Sequence, residues 1–251
     1  NNGFEAVINA QLLNSPSLGW DITLSGSYIS SKIADLGDIP ESQGTTTAMK
    51  EGFPINAYFL RPLSWEDTNG DGMISLSEIT VGATPEFVCY PEPRGEFTAF
   101  NSVELFSRKL RRTTRVDAKV GGWQNNGTER IRCESRLNCR GTVDPTAPLW
   151  EQARAVAVRQ HATRTQTGFV EKSDFFRIRE IGATYTLPDA WAQAISAKRV
   201  NITAAARNLA VFTNYSGIDP ESGYFSSVTG FQSDFQTAPP PSYFTFRMNV
   251  T

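Results

Sequence analysis

The chain has 251 residues, 39% hydrophobic and 20% charged, and its 24 basic and 26 acidic side chains leave a net charge of −2. That composition is too apolar for a disordered tail and too neutral for a polyanion-binding surface, so nucleic acid is excluded as a partner despite the basic run Arg108-Lys109-Leu110-Arg111-Arg112. No apolar run approaches the roughly 20 residues of a membrane-spanning helix, so any membrane crossing is by strands.

From Gly3 to Leu13, Phe4, Ala6, Ile8, Ala10 and Leu12 share one face while Glu5, Asn9 and Gln11 take the other, the two-residue period of a strand. Asn14-Ser15-Pro16-Ser17 is turn chemistry. Beyond it Trp20, Ile22, Leu24, Gly26 and Tyr28 alternate with Asp21, Thr23, Ser25 and Ser27, which predicts a hairpin with one apolar and one polar face.

The long polar stretch that follows contains Asp67-Thr68-Asn69-Gly70-Asp71-Gly72-Met73-Ile74-Ser75-Leu76-Ser77-Glu78. Its spacing fits the calcium loop of EF-hands. Oxygen ligands would come from Asp67, Asn69, Asp71, the Met73 carbonyl, Ser75 directly or through water, and both oxygens of Glu78. Gly72 permits the sharp turn, and Ile74 packs inward. A metal-free turn rich in Asp and Asn is the competing expectation. Pro62 opposes an entering helix and Thr80-Val81-Gly82 favours a strand, so a helix-loop-helix is not predicted.

Alternation returns at Phe97, Ala99, Val103 and Leu105 against Glu96, Thr98, Ser102 and Glu104. It recurs at Val116, Ala118 and Val120 against the charged set Arg115, Asp117 and Lys119. Cys133 and Cys139 lie in a polar segment and are predicted to pair in an oxidising compartment, which leaves Cys89 as a packed free thiol. Residues 149–157 predict a short amphipathic helix, and the single histidine, His161, follows it at the surface. With no second histidine and no Gly-x-Ser-x-Gly elbow, no enzymatic arrangement is expected.

Three more strands follow. Ile181, Ala183, Tyr185 and Leu187 mark the first; Val200, Ile202, Ala204 and Ala206 the second; Phe244, Phe246, Met248 and Val250 the third. About seven strands of about 9–11 residues suit tilted bilayer crossing. Short connections follow Leu13, Phe106 and Leu187, whereas long polar ones occupy about 31–95, 123–174 and 215–242. Outer-membrane barrels separate periplasmic turns from extracellular loops in that way. The fold class expected is therefore all-β, a segment of an antiparallel transmembrane β-barrel with long extracellular loops. An odd strand count leaves edges that lipid does not tolerate, so residues 1–251 are expected to be part of a longer barrel. The alternative is a secreted or surface β-sandwich, stabilised by calcium and serving binding or adhesion.

Several blocks in order resemble the SusC/RagA-type TonB-dependent outer-membrane transporters. They include Asn2-Gly3-Phe4-Glu5, Ile33-Ala34-Asp35-Leu36-Gly37, Glu51-Gly52-Phe53-Pro54 and the Asp67–Gly72 run. Asp174-Phe175-Phe176-Arg177-Ile178-Arg179-Glu180, Tyr185-Thr186-Leu187-Pro188, Ala206-Arg207-Asn208-Leu209 and Tyr215-Ser216-Gly217-Ile218-Asp219-Pro220-Glu221 carry it most strongly. The resemblance implies the C-terminal portion of such a barrel, about its last seven strands, without the plug domain and the N-terminal strands. It also implies energised uptake of a glycan or peptide across the bacterial outer membrane. The implied partners are the remainder of the receptor chain, TonB acting through that absent part, a SusD-like surface lipoprotein and outer-membrane lipid. Trp123, Tyr224 and Phe225 could stack on a sugar or belong to the lipid-interface girdle.

Overall fold

Seven long strands join in chain order into one antiparallel sheet: β1 (Asn2–Asn14), β2 (Gly19–Ser30), β3 (Gly95–Leu105), β4 (Leu110–Val120), β5 (Phe175–Thr186), β6 (Val200–Thr213) and β7 (Tyr243–Val250). The computed structural model describes residues 1–223 and 233–251; Tyr224 and Phe225 lie outside the described residues.

Register aligns like with like. Phe4 faces Tyr28, Ile8 faces Leu24, Leu24 faces Ala99 and Ala99 faces Val116. Farther along, Phe176 faces Phe212 and Ala204 faces Phe246. Because neighbouring residues of a strand point to opposite sides, these pairings put all the apolar alternates on one face of the wall. Nothing among the described residues covers that face: Phe4 is 67%, Leu24 41% and Phe246 74% exposed. A sandwich would shut these side chains inside, whereas here the long strands form a single layer. The fold is therefore a segment of a transmembrane β-barrel wall, with β1 and β7 at its two ends.

Two departures from simple alternation have local causes. A bulge between Gln11 and Leu13 places Leu13 opposite Trp20, so Leu13 and not Leu12 continues the apolar face. A second bulge skips Arg179: Arg115 pairs with Glu180 while Val116 pairs with Ile178. The extra residue lets Arg177, Arg179 and Glu180 all serve the polar face while Ile178 and Ile181 stay outside.

The connections also differ in build. Ser15 and Leu18 close the first turn through backbone and hydroxyl bonds of 2.8 and 3.0 Å. The link after Leu187 is longer than a strand turn, because Pro188 starts a helix over Asp189–Ala194 whose Ala192 packs with Ala197 and Val200. At the opposite end the first long connection folds a four-stranded sheet from residues 42–43, 47–49, 57–60 and 86–89. It also forms a ribbon of Leu63–Trp65 with Ile79–Val81. The second is closed at its base by Trp123–Asn125 pairing with Val170–Lys172 and carries the helix Leu149–Gln160. The buried apolar clusters of the described residues lie mainly in these connections. A wall whose greasy side faces lipid needs no internal core, but loops standing in water do.

Candidate functional site at the mouth of the wall

The polar face of the wall is a charged belt. Glu96 and Lys119 pair at 3.0 Å, Arg179 reaches Asp117 at 2.6 Å, and Arg207 pairs with Glu180. Lower down, Arg111 Nε donates to Ser102 Oγ at 2.9 Å, and the Thr184 and Thr203 hydroxyls meet at 2.9 Å. In a barrel this face lines the lumen, so a polar solute path is what the arrangement can supply.

Above the belt the third connection is clamped to the wall. Arg177, buried, donates from Nη2 to both carboxylate oxygens of Asp219 at 2.6 Å. Glu221 is shared: Arg179 Nη2 donates to it at 2.9 Å, and Arg177 Nε approaches it at 2.8 Å as an ion pair outside hydrogen-bond alignment. Charges this deep persist only when opposite charge and hydrogen bonds meet them together.

The three connections converge on the buried tripeptide Gln124-Asn125-Asn126. Gln124 Nε2 donates to the Ser222 carbonyl at 2.7 Å, and Asn126 Nδ2 donates to Ser216 Oγ at 3.0 Å. Asn125 joins the first connection, its backbone N–H donating to the Tyr58 hydroxyl at 3.2 Å. Asn126 also caps the helix Gly127–Ile131 by accepting from Glu129 N. Beside them Glu171 accepts from both the N–H and the hydroxyl of Ser216. Burial, and then the nearby Asp234 carboxylate, pushes the Tyr215 phenol above its ordinary range, which keeps it protonated. Trp123 is half-buried against Tyr58, Leu60, Cys89 and Val170, so it belongs to the packing of this canopy.

The segment Asp67–Glu78 turns as a compact loop. Asp67 accepts from Gly70 N and Gly72 N, Asn69 from Asp71 N, and Asp71 from Met73 N, all at 2.8–3.0 Å. Gly72 sits at φ +77°, where a side chain would be strained. Strands, not helices, flank the loop, as Pro62 and Thr80-Val81 predict. Glu78 turns inward, its oxygens accepting from the N–H and hydroxyl groups of Ser75 and Thr68. Those bonds, led by the Ser75 N–H, hold its carboxyl down at about 2, so it is anionic at neutral pH. The residue types and the turn therefore suit calcium, whereas the carboxylates of Asp67, Asp71 and Glu78 do not converge within 4.8 Å as a group. A cation would have to draw Glu78 away from Ser75 and Thr68.

This loop is docked by a side chain from another connection. Gln152 accepts from Ile74 N at 3.0 Å and donates to the Gly72 carbonyl at 3.1 Å and to Ala147 O at 2.8 Å. Ile74 itself is buried with Ile79, Ala153 and Ala157. In the same connection Cys133 and Cys139 are disulfide-bonded, with Cα atoms 5.0 Å apart, and are buried with Ala155, Val158 and Phe169. Cys89 is free and buried, and burial pushes its thiol up to about 12. His161 bonds locally, its Nδ1 to Thr163 Oγ1 at 2.8 Å.

A single-layer wall with one bare apolar face, one charged face and a loop canopy is the build of a transmembrane β-barrel segment. The comparisons agree. The chain is 24% identical over 223 residues to TonB-dependent receptor P3 of Formosa agariphila, a match that covers 85% of this chain and 20% of that protein. The RagAB peptide transporter superposes with a TM-score of 0.74 at 16% identity over 99% of this chain and 28% of that one. The RagAB peptide importer in its open-open state gives 0.72 at 14% identity over the same shares. No protein-family model matches. The fold is thus that of a SusC/RagA-type barrel wall, as the sequence blocks imply, and the chain spans about a fifth of its curated relative. Those relatives are receptors and transporters.

Proposed function

We propose that this chain is the wall and mouth of a TonB-energised outer-membrane importer for a bulky nutrient of the glycan or peptide class. One observation carries the reading: a single sheet presents a bare apolar face on one side and a charged face on the other, and a loop canopy is pinned to the charged side through Arg177 and Asp219. In this reading the connections at about 31–95, 123–174 and 215–242 are extracellular, and the short turns are periplasmic. Further strands of the same receptor pair with β1 and β7, since neither edge could stand in lipid. Its plug transmits the action of TonB, and a SusD-like surface lipoprotein closes over the canopy. The likeness to a peptide importer makes peptide the favoured class. Catalysis has no part in it.

Calcium in the Asp67–Glu78 loop is part of this proposal. Its support is the ligand spacing, the left-handed Gly72 and the docking of the loop by Gln152. The ion would stiffen the joint between the first two connections.

The test is uptake by cells that lack or carry the gene for the full-length receptor, fed labelled oligopeptides or oligosaccharides. Receptor-dependent accumulation of one class, abolished by a protonophore, is expected. Accumulation indifferent to the gene contradicts import, and accumulation that survives the protonophore contradicts energisation.

A further inference from the structure

The outward face is mainly apolar; Asn101 and Thr114 form one polar pair on it, and the row beside theirs holds a charged residue. Trp20, Val103, Arg112, Ala183, Ala204 and Phe246 form a single cross-strand row, and Arg112 is the one charged residue among the described outward positions. Two other arginines of the basic run are engaged elsewhere: Arg111 bonds Ser102 on the polar face, and Arg108 meets Glu104. The Arg112 side chain has no ion pair or hydrogen bond with another described residue.

Arg112 borders a furrow of about 630 Å³ between Leu105 and Leu110 on one side and Phe244 and Phe246 on the other, floored by Ala183 and Ala204. That size lies within the roughly 300–1,000 Å³ of ligand clefts. A second hollow on the same face, around Phe4, Leu24, Phe97 and Phe176, is lined by no basic residue. The furrow therefore combines an apolar trough with a single unsatisfied cation. Arg112 also stands only two residues from Leu110, the start of β4, or about 7 Å at the usual rise per residue. Its guanidinium can thus reach the level of headgroups while its stem stays in the apolar band. Trp20 in the same row suits that interfacial depth.

We propose that this furrow binds a glycerophospholipid, an acyl chain lying over Ala183 and Ala204 and the phosphate paired with Arg112. The charge is complementary, and a guanidinium fork matches phosphate oxygens. The periplasmic leaflet supplies the lipid, an assignment that rests on the orientation proposed above. Lipid retention and solute uptake are read separately, so either can fail alone.

The experiment uses the full-length receptor in mild detergent, stripped of lipid and then given phosphatidylglycerol, with retained lipid counted by native mass spectrometry. Wild type is expected to retain phosphatidylglycerol about tenfold better than R112Q, the loss of one charged hydrogen bond, with R112K between them. Diacylglycerol, which lacks the phosphate, and glycerol phosphate, which lacks the tails, are expected to be retained by neither protein. Heat-modifiable gel mobility establishes that each variant is folded; should R112Q fail to fold, the wild-type preference for phosphatidylglycerol over diacylglycerol decides. Equal retention by wild type and R112Q overturns the proposal, as does retention of glycerol phosphate alone. Preferential retention of lipid A from a mixture overturns the phospholipid assignment.

Discussion

Arg177 on β5 and Asp219 in the third long connection, 42 residues apart, form a buried pair in which one guanidinium nitrogen donates to both carboxylate oxygens at 2.6 Å. Removing one partner strands the other in a place water does not reach, at a cost of about 3–5 kcal/mol. Asp219→Ala is expected to free the third connection from the wall and expose residues 214–223 to added protease, while the seven strands keep their heat resistance. Unchanged protection of that segment would mean that the clamp contributes little.

Gln152 is the joint between the first two connections, bonding Ile74 N, Gly72 O and Ala147 O from a buried position. Gln152→Ala leaves these backbone groups without their partner and is expected to cost the canopy about 1–3 kcal/mol. Faster amide hydrogen exchange at Ile74, with exchange in β3 and β4 unaltered, is the measurement that checks it.

Calcium titrated calorimetrically into the intact receptor is expected to release heat at one site, and Asp67→Ala should abolish that heat. Chelation should raise proteolysis within residues 67–78. A titration with no heat, or the same heat in Asp67→Ala, removes calcium from the account.

For the thiols the sign follows from burial. Burial raises Cys89 from the ordinary 9.0 to about 12, so at pH 8 the folded protein holds it as the unreactive protonated thiol. Its contribution to stability is complete below 9.0 and is lost as the pH climbs toward 12. Alkylation of Cys89 at pH 8 should be slow in the native protein and fast after denaturation. Cys133 and Cys139 should react only once denatured and reduced. Their bridge closes a short loop, worth about 2 kcal/mol to the second connection on chain-entropy grounds.

How much of this was legible beforehand depends on the range of the interaction. The apolar run from Trp20 to Tyr28 betrays its strand because alternation is a local property, and the same holds for β1, β3 and β4. The bulge at Arg179 escapes such a scan, since Arg-Ile-Arg-Glu-Ile differs from plain alternation by one inserted residue. The Gln124-Asn125-Asn126 junction looks like any polar loop in one dimension; only the arrival of Tyr58, Ser216 and Ser222 makes it a buried node. Arg112 was visible as one member of a basic run, but its isolation on the lipid side becomes apparent only when Val103 and Ala183 are set beside it. The Asp67–Glu78 spacing was legible as ligand chemistry, whereas the inward turn of Glu78 was not, because Thr68 and Ser75 compete for its oxygens.

The medium at the apolar face is a matter of energy as well as geometry. A charge placed there at bilayer mid-depth costs roughly 2–4 kcal/mol, so Leu24→Arg is expected to destabilise the folded receptor by about that amount. Thr23→Arg, one residue away on the luminal face, should be nearly neutral in a chemical-denaturant titration.

Spin labels placed one at a time from Ile22 to Ser27 in the intact receptor, reconstituted in bilayers, test the wall most directly. Collision with oxygen dissolved in lipid should peak at 22, 24 and 26, and collision with a water-soluble nickel chelate at 23, 25 and 27. If both reagents reach both sets equally, or if 22, 24 and 26 are shielded from both, the face that carries Leu24 does not meet lipid and the barrel-wall account fails.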